Sequence, residues 1–290
     1  MKLSISLFIF IAIALGLIFP QGVLLKEFTI PLLFVLMYFS AMDFRLNKKR
    51  FFRKEVFLWG AVNIFILPLL AYFFGSFLSS YLLLGVVAAA LAPTATSSPI
   101  FVKLVNGDEE LSISISAIAN FSSIFYIPIM LFLLFGLKLS IPYDQILINI
   151  VGLVFLPIIL AAFTKKILKS KTTKIVNFSK RIVPPLLLII VWVVFSMSAS
   201  QILLSLNEVM TVIPVIFLIS GVGFLLGYAF VKEKSLKRTL AISCCFKNIT
   251  LVLGVFYGFN PIVFIPPTLY IIFHHFFNGI AIWLYEKKKI

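Results

Sequence analysis

The hydrophobic pattern of the chain is a series of apolar stretches, each about 15–25 residues long, separated by short polar or basic segments. A helix needs about 20 residues to cross the hydrocarbon core of a bilayer, and a barrel strand would alternate with period two instead. The pattern therefore predicts an all-α polytopic membrane protein. Its ten predicted spans cover residues 3–20, 28–44, 56–74, 80–104, 111–136, 145–164, 182–203, 209–231, 237–259 and 262–285.

Composition agrees with this pattern. The 290 residues are 62% apolar and only 12% charged, whereas soluble domains are about 45–50% apolar and about 25% charged. Ten spans use about 200 residues. The net charge of +15 would suggest a nucleic-acid partner in a soluble chain, but here cytoplasmic loops are expected to collect basic residues. We expect no nucleic-acid partner, and no oligomeric state follows from the sequence.

The basic residues fix the predicted orientation. Under the ten-span scheme, 22 of the 25 lie on one side of the membrane, Lys26 and Lys138 lie on the other, and Lys247 falls inside the ninth span. By the positive-inside rule, we expect a multi-pass protein of the cell membrane with both termini in the cytoplasm. The lysine-rich stretch 164–181 is interpreted as a cytoplasmic loop that contacts anionic lipid heads.

The chain divides into two halves of five predicted spans, residues 1–144 and 145–290. An odd number of spans gives the halves opposite orientations, which is the inverted-repeat plan of many transporters. A polar stretch at 91–100 in the fourth span matches the position of a second stretch at 240–249 in the ninth. We therefore predict two inverted five-helix repeats.

The fourth span is predicted to break. Pro93 and Pro99 each remove a backbone donor, and the hydroxyl residues Thr94, Thr96 and Ser97 lie between them. A simple proline kink, with hydroxyls bonded to carbonyls of the same helix, is the structural alternative.

The ninth span carries Ser243, Cys244, Cys245, Lys247 and Asn248 within an apolar run. A charged side chain near the bilayer centre costs a few kcal/mol at least, so Lys247 indicates either a functional site or a cap on unwound carbonyls. Two broken helices at matched positions point to a substrate site. Free helix N-termini and an ammonium favour an anion there.

Several motifs resemble those of the bile acid:sodium symporter family. They are Pro93-x-x-Thr96-x-Ser98 in the fourth span, Gly107-Asp108-x-x-Leu111-Ser112-x-x-x-Ser116 after it, Lys247-Asn248-x-x-Leu251 in the ninth span and Asn63 to Pro68 in the third. The resemblance covers nearly the whole chain. It implies a core domain of spans three to five and eight to ten, and a panel domain of spans one, two, six and seven. It also implies that helices four and nine cross.

The resemblance implies two sodium sites behind that crossing, and this chain departs from both. The first would use Ser98, Ser112 and Ser116, but Pro99 and Ser243 stand where the family has Asn and Glu. The second would use Asn63, again Ser243, and Lys247 in place of a Gln. We therefore expect Lys247 to replace sodium as a built-in cation, which makes transport sodium-independent. Burial disfavours a charged lysine, so proton coupling is the alternative.

The expected function is alternating-access transport of a small organic anion. The substrate-binding candidates are Thr96, Ser97, Asn248 and Lys247. The resemblance implies a bile-acid-like solute, a steroid sulfate or a carboxylate such as pantoate or pyruvate. We expect no catalytic residue, no metal site and no organic cofactor.

Four further features leave alternatives open. Cys244 and Cys245 leave open an arsenite or metalloid efflux permease. Such exporters, however, resemble one another in having the reactive Cys in span four, where this chain has Ser and Thr. Ser243 and Lys247, four residues apart, would form a hydrolase dyad on a continuous helix. We expect His274 and His275 to form hydrogen bonds with a neighbouring span, in preference to binding a metal. Asn120 either extends the polar site or binds a backbone carbonyl.

Overall fold

The computed structural model describes residues 4–43, 52–136 and 141–287, and these are mostly helical. Short 3-10 segments lie at Pro20–Phe28, Lys169–Lys171 and Pro261–Phe264. The helices are α1 Ser4–Ile18, α2 Thr29–Asp43, α3 Lys54–Phe74, α4 Ser80–Leu91, α5 Ser98–Leu104, α6 Glu109–Phe135, α7 Tyr143–Leu168, α8 Thr172–Leu204, α9 Leu206–Ala229, α10 Lys234–Cys245, α11 Ile249–Val255 and α12 Ile265–Glu286. Predictions for the basic residues at 2, 45, 48–50, 138, 288 and 289 lie outside the described residues.

Seven described helical segments are long and apolar enough to cross a membrane. They correspond to the predicted spans two, three, five, six, seven, eight and ten, so the prediction of an all-helical polytopic membrane protein is confirmed. The first predicted span falls on a shorter apolar helix, Leu7–Ile18. The fourth and ninth fall on the pairs α4–α5 and α10–α11, which are interrupted. The count of ten and the inverted repeat stay predictions.

The lysine-rich stretch 164–181 is helical for most of its length, so its interpretation as a loop was wrong. α7 continues to Leu168, α8 begins at Thr172, and only the 3-10 turn Lys169–Lys171 separates them. Hydropathy marks where a helix leaves the apolar layer, whereas lysine is a good helix former and no Gly or Pro interrupts 164–181. The helices therefore extend beyond their apolar parts.

The helices pack in two groups of contacts. α8 packs on α1 and α2, and α2 also packs on α7. In the second group α9 packs on α10 and α12, while α4 packs on α3 and α12. Ser205 is the single residue between α8 of the first group and α9 of the second. The division into panel and core domains stays a prediction.

Small residues allow the closest helix contacts. A Cβ placed on Gly227 of α9 would lie 2.3 Å from the carbonyl oxygen of Leu240 in α10. A Cβ on Gly85 of α4 would lie 2.4 Å from the carbonyl oxygen of Val263. Glycine at these positions therefore lets one backbone touch the next, as is common among membrane helices.

Candidate functional site

The centre of the structure is formed by two interrupted helices. α4 ends at Leu91 and α5 begins at Ser98, with Pro93 between them and Pro99 in the first turn of α5. Proline lacks an amide hydrogen and its ring clashes with the preceding turn, so a helix usually ends before it. Proline is nevertheless common in the first turn of a helix, where no amide donor is needed. In the other pair, α10 ends at Cys245 and α11 begins at Ile249. No proline causes that second interruption.

The two unwound segments pair with each other. The amide of Ala95 donates to the Phe246 carbonyl at 2.9 Å, and the amide of Asn248 donates to the Pro93 carbonyl at 2.7 Å. Thr94 and Lys247 thus form an isolated antiparallel bridge. A break in a membrane helix leaves backbone groups without water, and this pairing satisfies several of them. This pairing explains why the interruption between α4 and α5 lies next to the interruption between α10 and α11.

Lys247 is almost fully buried, with 1% of its surface exposed. Its Nζ donates to the carbonyl oxygen of Ala90 at 2.9 Å and to Oδ1 of Asn63. Ala90 is in the last turn of α4, where carbonyls have no partner within the helix. The ammonium therefore holds the end of α4 and α3 together, behind the paired segments. Asn63 itself lies in a π-helical stretch, Ala61–Ile66.

A chain of hydrogen bonds extends from α3 to both broken helices. Asn63 donates its Nδ2 to the Trp59 carbonyl at 3.0 Å. The indole of Trp59 donates to Oγ1 of Thr94 at 2.8 Å, and that hydroxyl donates to the Ser243 carbonyl at 2.7 Å. All four residues are buried. The chain fixes Thr94 and the end of α10 relative to α3.

The predicted first ion site is a row of neutral oxygens. Oγ of Ser98 lies 3.1 Å from Oγ of Ser112, which lies 3.4 Å from Oγ of Ser243. Ser116 donates to the Ala95 carbonyl at 3.2 Å. The structure thus brings these four residues together next to the unwound segment. Their side chains supply hydroxyl groups and no carboxylate.

Asn120 and Asn248 join this row to the other face of the crossing. Nδ2 of Asn120 donates to the Thr94 carbonyl at 2.9 Å and to the Ser116 carbonyl at 2.8 Å. Its Oδ1 accepts from Nδ2 of Asn248 at 2.9 Å. Asn120 therefore does both things that the sequence left open. Asn248 also caps α11, because its Oδ1 accepts from the Leu251 amide at 3.4 Å.

The second predicted ion site does not fit sodium. Sodium needs oxygen ligands, whereas here the Oδ1 of Asn63 already accepts from the Lys247 ammonium. A second cation at that position would be repelled by the first. The residues of the first site, Ser98, Ser112 and Ser243, offer only neutral hydroxyls. We therefore derive no transport step through sodium.

A small cavity of about 60 Å³ lies beside the paired segments. Its walls combine Ile9, Leu36, Val183, Leu187 and Val191 of α1, α2 and α8 with residues of the crossing and of α12. All four predicted substrate-binding residues line it, namely Thr96, Ser97, Lys247 and Asn248. Sites for drug-sized ligands measure about 300–1,000 Å³. The cavity is thus smaller than such a site.

Neither rival chemistry has the arrangement it needs. The Ser243–Lys247 dyad requires one continuous helix, but α10 ends at Cys245 and Phe246 is extended. The Ser243 hydroxyl lies against Ser112, while the Lys247 ammonium is bonded to Asn63 and Ala90. Cys244 and Cys245 are free and buried, and neither lines the cavity.

The family follows from comparison with known proteins. The model of the Sodium Bile acid symporter family matches residues 30–205, which is more than half of the chain. This chain belongs to the sodium bile acid symporter family. It is a multi-pass membrane protein of a transporter family and not an enzyme.

Relatives within the symporter family are distant. The hepatic sodium/bile acid cotransporter of Rattus norvegicus is 27% identical over 89% of this chain and 76% of its own. The uncharacterized sodium-dependent transporter YocS of Bacillus subtilis (strain 168) is 23% identical over 78% of this chain and 71% of its own. The probable sodium/metabolite cotransporter BASS1, chloroplastic, of Arabidopsis thaliana is 23% identical over 81% of this chain and 60% of its own.

Two contributors to the site were missed by sequence reasoning. Trp59 lies four residues before Asn63 on α3, which places both on one helix face. That spacing was a usable signal. The Ala90 carbonyl was also foreseeable, because Pro93 ends α4 and leaves its last carbonyls without amide partners.

Proposed function

We propose that this symporter-family protein transports a small organic anion by alternating access, and that sodium is not its coupling ion. The observation that carries the proposal is the hydrogen bond from the Lys247 ammonium to Asn63 Oδ1. A fixed cation there occupies the oxygen that a mobile cation would need. Relatives are named as sodium-dependent, so this chain would differ from them in its ion.

The anionic nature of the solute is supported by the charge around the cavity. Lys247 is a wall residue whose ammonium bonds to Asn63 and Ala90 outside the wall, and no described lining residue carries a carboxylate that would oppose its charge. Thr96, Ser97 and Asn248 add hydroxyl and amide groups that can donate hydrogen bonds. An anion would gain from each of these groups. The relatives' names include a bile acid and an unspecified metabolite, so the candidate solutes are bile-acid-like molecules, steroid sulfates and carboxylates.

The architecture proposed for this transport has ten spans in two inverted repeats, 1–144 and 145–290. The packing of α1, α2, α7 and α8 supports a panel domain that moves against a core of the other helices. The cavity lies between residues of these two groups. We place the protein in the cell membrane, with both termini in the cytoplasm.

The first prediction concerns the ion. Purified protein in liposomes is expected to take up at least one labelled member of a panel at equal rates in sodium and in potassium. The panel contains a bile acid, a sulfated steroid, pantoate and pyruvate. The physical reason is that Lys247 already supplies the positive charge. Initial rates in matched salts measure this, with protein-free liposomes as the blank.

The Lys247→Ala variant is the companion measurement, because it removes the charge and both hydrogen bonds. We expect its uptake to fall by at least about tenfold, which corresponds to about 1.4 kcal/mol. Uptake driven by a sodium gradient in the unmodified protein would show that other oxygens complete the ion sites. It would also show that the role assigned to Lys247 is wrong.

A further inference from the structure

Two adjacent histidines of α12 line the same cavity. His274 and His275 are 3% and 4% exposed, and both belong to the cavity wall. They lie on the α12 side, and Thr96, Ser97 and Asn248 belong to the two broken helices. Neither histidine has a role in the sodium-independent mechanism proposed above.

The imidazoles lack the partners that buried polar groups normally have. Within the described part of the chain, Nδ1 of His274 and Nδ1 of His275 have no hydrogen-bond partner. The expectation that these side chains bond to a neighbouring span is thus not met at Nδ1. More than nine-tenths of buried polar groups are satisfied in folded proteins. Among the described residues with such an unpartnered atom, His274 and His275 are the two that line the cavity, so their Nδ1 atoms are available to a ligand that enters it.

Aromatic rings hold the two imidazoles in place. The ring of Phe246, in the unwound segment, has its centroid 4.6 Å from that of His274 and 5.2 Å from that of His275. Phe101 lies 5.7 Å from His275, and Tyr270 lies 5.7 Å from His274. The two imidazole centroids are 4.6 Å apart. Two positive charges at that distance repel each other strongly in an apolar surrounding, so the pair can hold one proton at a time.

Few other groups near the pair can titrate. Among the described residues that line the cavity, only Lys247, His274 and His275 have titratable side chains. Tyr270 of α12 donates its hydroxyl to the Cys245 carbonyl at 3.2 Å. α1 and α11 carry no titratable side chain. The neighbouring helices otherwise carry Tyr38 and Asp43 on α2, Tyr81 on α4, Lys103 on α5, Lys174, Lys180 and Arg181 on α8, Glu208 and Tyr228 on α9, Lys234, Lys237, Arg238, Cys244 and Cys245 on α10, and Tyr285 and Glu286 on α12.

We infer that His274 and His275 form a proton-binding site that is loaded together with the organic anion, so that the transported unit is one anion with one proton. The inference rests on the proposed function, because the anion is half of the unit. The proton enters from the aqueous phase that faces the open cavity and binds one imidazole nitrogen. It leaves to the opposite phase with the anion.

Charge explains why the two ligands bind together. A buried imidazolium is costly unless an opposite charge lies beside it, and the described wall residues include no carboxylate. The incoming anion provides that opposite charge. By linkage, each ligand raises the affinity for the other by the same factor. The loaded cavity then contains no more net charge than the empty one.

The experiment compares uptake of the same four-solute panel in sodium-free liposomes, with the interior at the outside pH or about one pH unit more alkaline. Potassium and valinomycin hold the membrane potential at zero. The unmodified protein is expected to accumulate its solute up to about tenfold in the gradient, the limit for one proton per anion. The double variant His274→Gln/His275→Gln keeps amide hydrogen-bond donors but cannot hold the proton. It is expected to equilibrate the solute without accumulating it.

Ser220→Ala is the matched control, because the Ser220 hydroxyl is buried but bonds to the Ile216 carbonyl of its own helix. It is expected to accumulate like the unmodified protein. Protein-free liposomes correct for acids that cross the bilayer unaided, and thermal unfolding confirms that each variant is folded.

The outcomes separate the two proposals. Uptake that ignores the proton gradient in the unmodified protein overturns the proton site and leaves anion transport standing. Gradient-driven accumulation that survives in the double variant assigns the proton to another group and equally overturns the inference. Failure of every panel solute to be taken up, or to shift the unfolding temperature, overturns the proposed function and the proton site with it.

Discussion

Lys247, which we propose takes the place of a mobile cation, is held by two oxygen acceptors. An uncompensated charge in a membrane interior costs several kcal/mol, so the ammonium needs acceptors within reach. The interrupted helix supplies one of them, the Ala90 carbonyl at 2.9 Å, and α3 supplies the other through Asn63. The same contacts stabilise the break in α4. The buried ammonium therefore needs the helix break for its acceptor, and the helix break needs the ammonium for its donor.

A reciprocal substitution tests this interpretation at the level of single residues. In the double variant Lys247→Gln/Ser243→Glu, the ammonium is removed and a carboxylate is placed where the symporter family has one. We expect uptake of the panel solute to become stimulated by sodium by at least about tenfold, because an anionic oxygen and a free Asn63 Oδ1 are then available. Initial uptake rates over a range of sodium concentrations measure it.

The matched controls separate charge from shape. Ser243→Glu alone leaves the ammonium beside the new carboxylate, so we expect no sodium response. Lys247→Met removes the charge without adding an oxygen ligand, and we expect none there either. A sodium response in the Lys247→Met variant would contradict the assignment of ligands.

At this scale the sequence predicted much of the site. Lys247 was conspicuous because it is the one basic residue far from both ends of a predicted span, and Pro93 and Pro99 marked the break in α4. The direction of the Lys247 side chain was not predictable, since it depends on where α3 lies. The unpartnered nitrogens of His274 and His275 were not predictable either, because they are defined by the packing of α12 against the crossing.

At the scale of helices, close backbone contact explains how the broken helices are held. α10 contains the residues that lead into the second interruption, and it lies directly against α9 at Gly227. Its polar residues Thr239 and Ser243 are buried along with its apolar ones. The position of α10 therefore depends on the absence of a side chain on its neighbour.

The third prediction follows from this contact. In Gly227→Ala, the added Cβ would lie 2.3 Å from the Leu240 carbonyl oxygen, a backbone atom that cannot move without shifting α10. We expect the free energy of unfolding to fall by about 1–3 kcal/mol. Unfolding in detergent measures it. Gly279→Ala is the control, because nothing lies within 4 Å of its Cβ position; an equal loss in both variants would contradict the packing argument.

Helix boundaries were less predictable than helix identity. The apolar pattern located the membrane part of α8 but placed its start at residue 182, ten residues after Thr172. The interruption between Cys245 and Ile249 was predicted from polar side chains alone, without a proline. Its antiparallel pairing with Thr94 is a contact between distant parts of the chain, which local patterns do not encode.

For the molecule as a whole, the distribution of basic residues predicts which face is cytoplasmic. Lys171 lies in the turn between α7 and α8, and Lys26 lies in the 3-10 segment before α2; both are exposed. The ten-span scheme places them on opposite sides of the membrane. The structure leaves this orientation as a prediction.

Accessibility to a membrane-impermeant maleimide tests the orientation. Lys26→Cys is expected to be labelled in intact cells, whereas Lys171→Cys is expected to be labelled only after the cells are permeabilised. The native Cys244 and Cys245 are buried, so the unmodified protein gives the background. Labelling in the reverse order would place both termini outside and overturn the topology.

The single residue between α8 and α9 limits how the two helix groups move, if they move as the proposed panel and core. Ser205 joins the two helices directly, so neither can slide along the other by more than one residue's reach. For a rotation of one group against the other about this joint, displacement grows with distance from Ser205. The gap that admits solute would be widest at the end of α8 far from Ser205, and narrowest beside it. The pivot would thus make the two entrances to the pathway unequal in width.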